Sequence, residues 1–376
     1  MQNATRARKD GYNVMVWGPG GLGSVAIWEI QQSQAFKLVG VRAYSDAKNG
    51  RDVSTLFGMR PSGLKMTTDV SQLLKKDADV ILHTGRDLGT FNTDDEICQL
   101  LASGFNVITP LPYQNASLFR DRKFLAKLDA ACKKGRAVFH ATGIDPDVVS
   151  ERVVPALTSM CTHIDSLKLQ ENWDSTYTPR ELLEIVGFGK PPREAAKSPA
   201  AAMISTNFLH AIARSMEQVL GVTYSRLEET HDFIAATRRI HSIYIDIPRG
   251  ATGRVTHRLR GYVEGKGRRP FFTIEYNWVI GDEMLPEGVN PGEKWIATIE
   301  GRPSLRMVVN LRASHKNSKR SYKIGSMSTE PGYHGTIGPC LQAIPLVCNA
   351  KPGVLPSFGP GLHWMQDARA ILNLRK

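Results

Sequence analysis

Three glycines, Gly18, Gly20 and Gly23, stand in G-x-G-x-x-G spacing between an apolar run, residues 14–17, and an unbroken stretch, residues 25–30. A buried strand, a tight glycine turn and a helix start, in that order, put backbone N–H groups where a pyrophosphate can dock. Gly18 permits the turn, Gly20 lets the backbone approach the phosphates, and Gly23 lets the helix sit close on the sheet. Gly21 and Leu22 supply further N–H groups at the helix start. The residue that reads the adenosine ribose should follow about 20 residues later, at the end of the second strand. That place is held by Arg42, with Ser45 just beyond. A guanidinium and a hydroxyl suit a 2′-phosphate, so NADP(H) is the preferred cofactor, while Asp46 keeps NAD(H) open. Thr84 with Gly85, Thr109 and Gly143 end or follow later strands, which places them at the ligand-binding edge, nearer a nicotinamide.

A nicotinamide carries the hydride, so the protein must orient a substrate and hold a proton donor beside the atom that develops charge. Glu171, Tyr177 and Tyr113 have the right chemistry. Glu171 closes an expected strand, 164–171, where its carboxyl would face a cleft; a rim ion pair would use it equally well. Tyr177 either donates a proton or walls the site. Asp145 and Asp147 frame a proline at a helix start and read as turn formers. His83, His140, His210 and His334 show no metal-ligand spacing, and there is no H-E-x-x-H, cysteine cluster or G-x-S-x-G. No metal site and no hydrolase chemistry are expected. His334, ahead of Gly335 and Thr336, is the histidine that a helix start could bring beside substrate.

The elements that must position these groups alternate strand and helix from residue 13 to 146, with strands at 36–41, 79–84, 106–109 and 137–141. That is a Rossmann-type doubly wound parallel sheet. Beyond it, strands at 164–171, 240–247, 252–264, 271–280, 294–301 and 305–312, with a long helix at 200–221, describe a second α+β domain on a mostly antiparallel sheet. A breaker-rich segment, 190–199, could serve as a substrate-side lid. A last helical stretch, 334–349, should pack back on the first domain. The dinucleotide domain is therefore 1–147 completed by 334–376, and 148–333 forms the substrate-binding and dimerisation domain.

Composition sets outer limits. The net charge of +12 is spread along the 376 residues without an aromatic-interleaved basic stripe, so nucleic acid is not an expected partner. No apolar run reaches the ~18 residues of a membrane span. The polar start is not a secretory signal, and five scattered cysteines read as reduced thiols, so a cytoplasmic location is expected.

The glycine motif, Leu38-Val39-Gly40-Val41, Ala43-Tyr44-Ser45, Gly50-Arg51-Asp52 and Thr142-Gly143-Ile144-Asp145-Pro146 together resemble the dihydrodipicolinate reductase-like superfamily. Glu171-Asn172-Trp173, Gly187-Phe188-Gly189-Lys190-Pro191 and Gln342-Ala343-Ile344-Pro345 are similar to the branch holding 2,4-diaminopentanoate dehydrogenase and the native NAD(P)-dependent amine dehydrogenases. The resemblance implies hydride transfer to or from a C=N or C=O carbon of a small to medium organic substrate, in a homodimer. It also implies, in the amine dehydrogenases, a glutamate after the strand equivalent to 106–109 that helps handle ammonia. This chain reads Thr109-Pro110-Leu111-Pro112-Tyr113-Gln114 there, without an acid, and it lacks the His-His-Lys pattern of the true reductases. Carbonyl or imine reduction therefore stands beside amine dehydrogenation. The alternative is a nucleotide-binding sensor or regulatory protein of the same fold.

Overall fold

The computed structural model describes residues 11–87, 91–204, 208–357, 359 and 362–367. Within them the chain forms two compact units. One is the chain up to Val148 together with Arg312–Ser357; the other is Val149–Leu311 together with the described residues after Ser357. The first unit thus regains the chain at Arg312, earlier than residue 334, and residues 359 and 362–367 belong with the second.

The first unit is built on β1 (Tyr12–Trp17), β2 (Phe36–Arg42), β3 (Val80–His83), β4 (Asn106–Thr109) and β5 (Val138–Ala141). With a short late strand, Gly353–Leu355, they form a sheet in the order Gly353–Leu355, β5, β4, β3, β1, β2, and every pairing is parallel. Both faces are covered, which is why β1 reads as an uninterrupted apolar run from Val14 to Trp17. Val14 and Val16 pack on one side, against the Gly21–Gln32 and Pro331–Asn349 helices; Met15 and Trp17 pack on the other, against the Asp94–Ala102 and Arg122–Gly135 helices. The last of these is N-capped by Asp121, which accepts from the Phe124 N–H at 2.8 Å, and buries Phe124, Leu128, Ala131 and Cys132 at helical spacing. Because β2 and β3 flank β1 on opposite sides, the crevice beyond the carboxyl ends of β1 and β3 is where such a sheet takes ligands.

Three features of this unit depart from the expected elements. The final helix starts at Pro331, with proline in its first turn. Gly353–Leu355 adds a sixth strand to the sheet. A small hairpin, Tyr322–Ile324 with Met327–Thr329, docks on the Val53–Phe57 turn, where the Ser326 N–H donates to the Phe57 carbonyl at 2.8 Å.

The second unit holds β6 (His163–Asp174), β7 (Tyr224–Ala235), β8 (Thr252–Val263), β9 (Phe272–Val279), β10 (Glu293–Arg302) and β11 (Leu305–Asn310). Their order is β11, β10, β6, β9, β8, β7. Only the β6–β9 pairing is parallel. The expected strand at 240–247 is a single bridge between Ile240 and Ile247. The strand that the sequence reading missed is β7. It lies at the sheet edge, where all but its first residue stay at least partly exposed and apolar alternation is not required. The long helix at 200–221 resolves into Ala200–Ile204 and His210–Leu220, with 205–207 outside the described residues. The 190–199 segment carries a short helix, Pro192–Ala195.

Candidate functional site

The glycine loop is held by its own backbone. Gly18, at φ 96°, donates its N–H to the Arg42 carbonyl at 2.9 Å; the Gly20 N–H donates to the Gly18 carbonyl at 2.8 Å. A Cβ on Gly23 would stand 2.1 Å from the Gly18 oxygen and 2.7 Å from Thr84 Oγ1, so only glycine fits. Gly20 is different: a Cβ there would meet nothing within 4 Å, and Gly20 and Gly21 are exposed. No side chain caps the Gly21–Gln32 helix. Its first N–H groups therefore open on the face that a pyrophosphate would use. On the far side of Gly21 lies the Tyr333 ring, whose Cε2 would be 2.8 Å from a Cβ at that position.

Several residues expected to touch the cofactor brace this loop instead. Thr84 donates its hydroxyl to the carbonyls of Trp17 (3.1 Å) and Gly18 (2.8 Å). Thr109 is fully buried; its hydroxyl donates to the His83 carbonyl at 2.8 Å and accepts from the Leu111 N–H at 3.1 Å. Their oxygens tie neighbouring strand ends together. Gly85 lies against His83 and the Tyr44 hydroxyl, each 2.7 Å from where its Cβ would be. Gly143 is buried beside Thr336 and opens the turn in which Asp147, at φ 118°, accepts from Thr142 (2.5 Å) and Ser357 (2.6 Å). Asp147 is a turn residue, in line with its reading from sequence.

At the end of β2 the Arg42 guanidinium lies over the Tyr44 ring, 4.9 Å from its centroid. Its Nε and Nη1 are buried and have no hydrogen-bond partner. Buried donors of this kind are costly unless an anion completes them. Ser45 is exposed beside them and caps the Asp46–Lys48 turn by accepting from the Ala47 N–H at 3.3 Å. Lys48 reaches back to the Pro19 carbonyl at 2.5 Å, and burial, with Arg51 nearby, lowers its pKa. The glycine cradle and the uncapped helix end fit a dinucleotide.

Behind this edge Glu96 accepts from three donors: Trp17 Nε1 at 2.9 Å, Tyr44 Oη at 2.5 Å and His83 Nε2 at 3.0 Å. Burial alone would raise its pKa, but these hydrogen bonds outweigh it and hold the carboxyl at about 2. Nothing in the sequence singled out Glu96; its partners are scattered over the chain and meet only in the fold.

The proton-donor candidates separate. Tyr113 is removed from the list. It is 5% exposed, packs between Phe124 and Phe139, and donates its hydroxyl to Asp94 at 2.6 Å; burial and Asp94 raise its pKa. Beside it, Gln114 is 4% exposed and neither end of its amide has a hydrogen-bond partner. His334 does not stand free either: its Nδ1 meets Glu29 at 2.9 Å and its ring lies on Tyr322.

In the second unit β6 runs three residues past Glu171, which is buried within the strand rather than closing it and accepts from Trp278 Nε1 at 3.1 Å. Tyr177 is half-buried in a short turn capped by Asp174. Glu171 belongs to a row across the sheet, Trp295, Glu171, Tyr276, His257, His231, each opposite the next. His231 Nδ1 and His257 Nδ1 are 2.7 Å apart, His231 Nε2 is 3.2 Å from Glu229, and Glu229 also meets His210 at 3.2 Å. His257 Nε2, on the other side of its ring, is buried and has no hydrogen-bond partner. Sequence separation hid this chain; only strand register reveals it. Among the described residues no group of acids, histidines and cysteines could hold a metal, and no helix is long and apolar enough to cross a membrane.

No family model matches the chain. It is 27% identical to the amine dehydrogenase of Streptomyces virginiae over 357 residues, 91% of this chain and 94% of the relative. It is 24% identical to the 2,4-diaminopentanoate dehydrogenase of Acetoanaerobium sticklandii over 368 residues, 96% of this chain and 94% of the relative. Among solved structures, the amine dehydrogenase from Mycobacterium smegmatis superposes with a TM-score of 0.74 at 20% identity, over 96% of this chain and 99% of that one. The structural likeness establishes the shared fold, and both relatives fall in the branch that the sequence motifs resemble.

Proposed function

We propose that this chain, an NAD(P)-dependent oxidoreductase, transfers hydride between NADP(H) and a C=N or C=O carbon of a small to medium organic substrate. The observation that carries the cofactor preference is the Arg42 guanidinium at the end of β2, whose Nε and Nη1 lack hydrogen-bond partners, where a ribose-binding acid would favour NAD(H). When bound, the nicotinamide supplies the hydride chemistry. The chain's own part is to cradle the phosphates at Gly18, Gly20, Gly21, Leu22 and Gly23, and to meet the 2′-phosphate with Arg42 and Ser45. Gly85 and Gly143 shape the nicotinamide end.

On the substrate side Glu171 and Tyr177 remain the proton-handling candidates. The loop after β4 supports reduction of a carbonyl or preformed imine over ammonia-dependent chemistry. Its buried polar group is the Gln114 amide, which can hydrogen-bond a substrate but carries no charge. We assign the protein to the cytoplasm as a homodimer acting on a small molecule.

The test is a fluorescence titration with NADPH and NADH, followed by turnover of ketones, aldehydes and cyclic imines with and without ammonium. Selective NADPH binding with carbonyl or imine turnover is expected. Binding of neither nucleotide would end the oxidoreductase reading. Binding without turnover would favour a sensor of the same fold.

A further inference from the structure

We infer that Glu96 is a positioning residue for cofactor selectivity: it tethers Tyr44 beneath Arg42 and so aims the guanidinium at a phosphomonoester on the adenosine ribose. The inference rests on the nicotinamide reading above for the identity of the ligand, and adds to it the group that makes Arg42 selective.

The geometry runs through three contacts. Glu96, on the Asp94–Ala102 helix, receives Trp17 on one carboxylate oxygen and both Tyr44 and His83 on the other. An ionised carboxylate has lone pairs enough for all three donors. A glutamine does not: its single oxygen cannot replace both, and its NH2 would face a donor. Tyr44 is 48% exposed, so packing alone does not fix its ring. Its hydroxyl bond to Glu96 does. The fixed ring lies under Arg42, whose Nε and Nη1 are buried and without a partner.

Such a guanidinium is held by stacking and left unneutralised along part of its fork. A phosphomonoester dianion matches that fork better than a neutral ribose diol. The same tether reaches the loop after β3. Gly85 rests against His83 and the Tyr44 hydroxyl, so any side chain there would push both. His83, fully buried, donates Nε2–H to Glu96 and keeps a bare Nδ1. The three contacts converge on a Glu96 carboxylate held ionised by its hydrogen bonds.

The experiment uses the full chain and two probes without nicotinamide: 2′,5′-ADP, which carries the phosphomonoester, and 5′-AMP, which does not. Dissociation constants are measured for wild type, Glu96→Gln, Tyr44→Phe and Arg42→Ala, and compared with those for NADPH and NADH. Glu96→Gln should weaken 2′,5′-ADP by about tenfold or more, the scale of one charged hydrogen bond. It should leave 5′-AMP within about twofold, and the NADPH-to-NADH preference should fall by a similar factor. Tyr44→Phe cuts the same tether from its other end and should shift the same ratio, which keeps the test open if Glu96→Gln does not fold.

Equal losses for both probes, or an unchanged ratio in the variants that fold, would overturn the inference. In that case wild type would still bind nicotinamide nucleotides and the functional reading would stand. If wild type binds neither NADPH nor NADH, that reading fails first and this inference falls with it.

Discussion

A Cβ on Gly23 would stand 2.1 Å from the carbonyl oxygen of Gly18, whereas one on Gly20 would meet nothing within 4 Å. Two glycines of one motif therefore answer to different demands, one to the protein and one to the ligand. Gly23→Ala must push apart the loop and the helix, and should lower stability by several kcal/mol or prevent folding. Gly20→Ala should leave the thermal midpoint unchanged and weaken nicotinamide nucleotides by at least about tenfold, or about 1.4 kcal/mol. Melting curves beside titrations separate the two. A Gly20→Ala protein that binds normally would show that no phosphate approaches there.

Tyr113 illustrates a residue of catalytic type used for structure. Its hydroxyl donates to Asp94, which Arg120 also holds. Tyr113→Phe should cost about 1 kcal/mol of stability, the net worth of one hydrogen bond, and leave kcat within about twofold. A large loss of kcat with normal stability would return Tyr113 to the catalytic list.

Gln114 behaves in the opposite way. A side chain so buried with both amide ends unpaired is a burden on the free protein. Gln114→Leu should raise the melting temperature by a few degrees, since about 1 kcal/mol moves Tm by 2–8 °C depending on chain length. If the amide serves substrate, kcat/KM should fall at the same time. Higher stability with undiminished kcat/KM would leave the amide without a role in the reaction.

Stability should also fall in acid for an identifiable reason. Burial, and then the neighbouring His231, hold the His257 pKa down at about 3, against an ordinary 6.5. The unfolded chain takes up this proton first. Stability is therefore full above pH 6.5 and declines as pH falls toward 3, by up to about 1.4 kcal/mol per pH unit. Glu96, held at about 2 against an ordinary 4.5, acts in the same direction but only below pH 4.5. Between pH 6.5 and 4.5, His257→Gln should flatten the urea-denaturation profile. An unchanged slope in that interval would mean that His257 is accessible to protons in the folded protein.

The parallel sheet was legible because most of its first five strands are apolar runs next to a breaker, and because the glycine spacing is that of a dinucleotide motif. The end of β2 at Arg42 was legible for the same reason: it follows the glycines at the spacing of the second strand. What escaped is informative. The β7 strand carries Glu229 and His231 but lies at an edge, where side chains need not alternate. Glu96, His257 and Gln114 carry no local signature at all. Their character comes from partners, or from the lack of them, and those depend on strand register and on packing between segments far apart in sequence. Thr84 and Thr109 were assigned to the correct edge, yet which way a hydroxyl turns at that edge is decided by the unpaired carbonyls around it.

The first unit is assembled from two stretches of chain with the whole second sheet between them. The face of its sheet that holds Val14 and Val16 is completed by Ile337, Cys340, Leu341, Ile344 and Val347 from the last long helix. During synthesis that helix emerges roughly 180 residues after Val148, a delay of roughly 10–40 s at ordinary elongation rates. Throughout that interval the nascent chain presents an uncovered greasy wall and an open edge at β5. The first unit thus stays open until the whole second sheet has been synthesised, and a ribosome that stalls between the two stretches would release a product in need of chaperones.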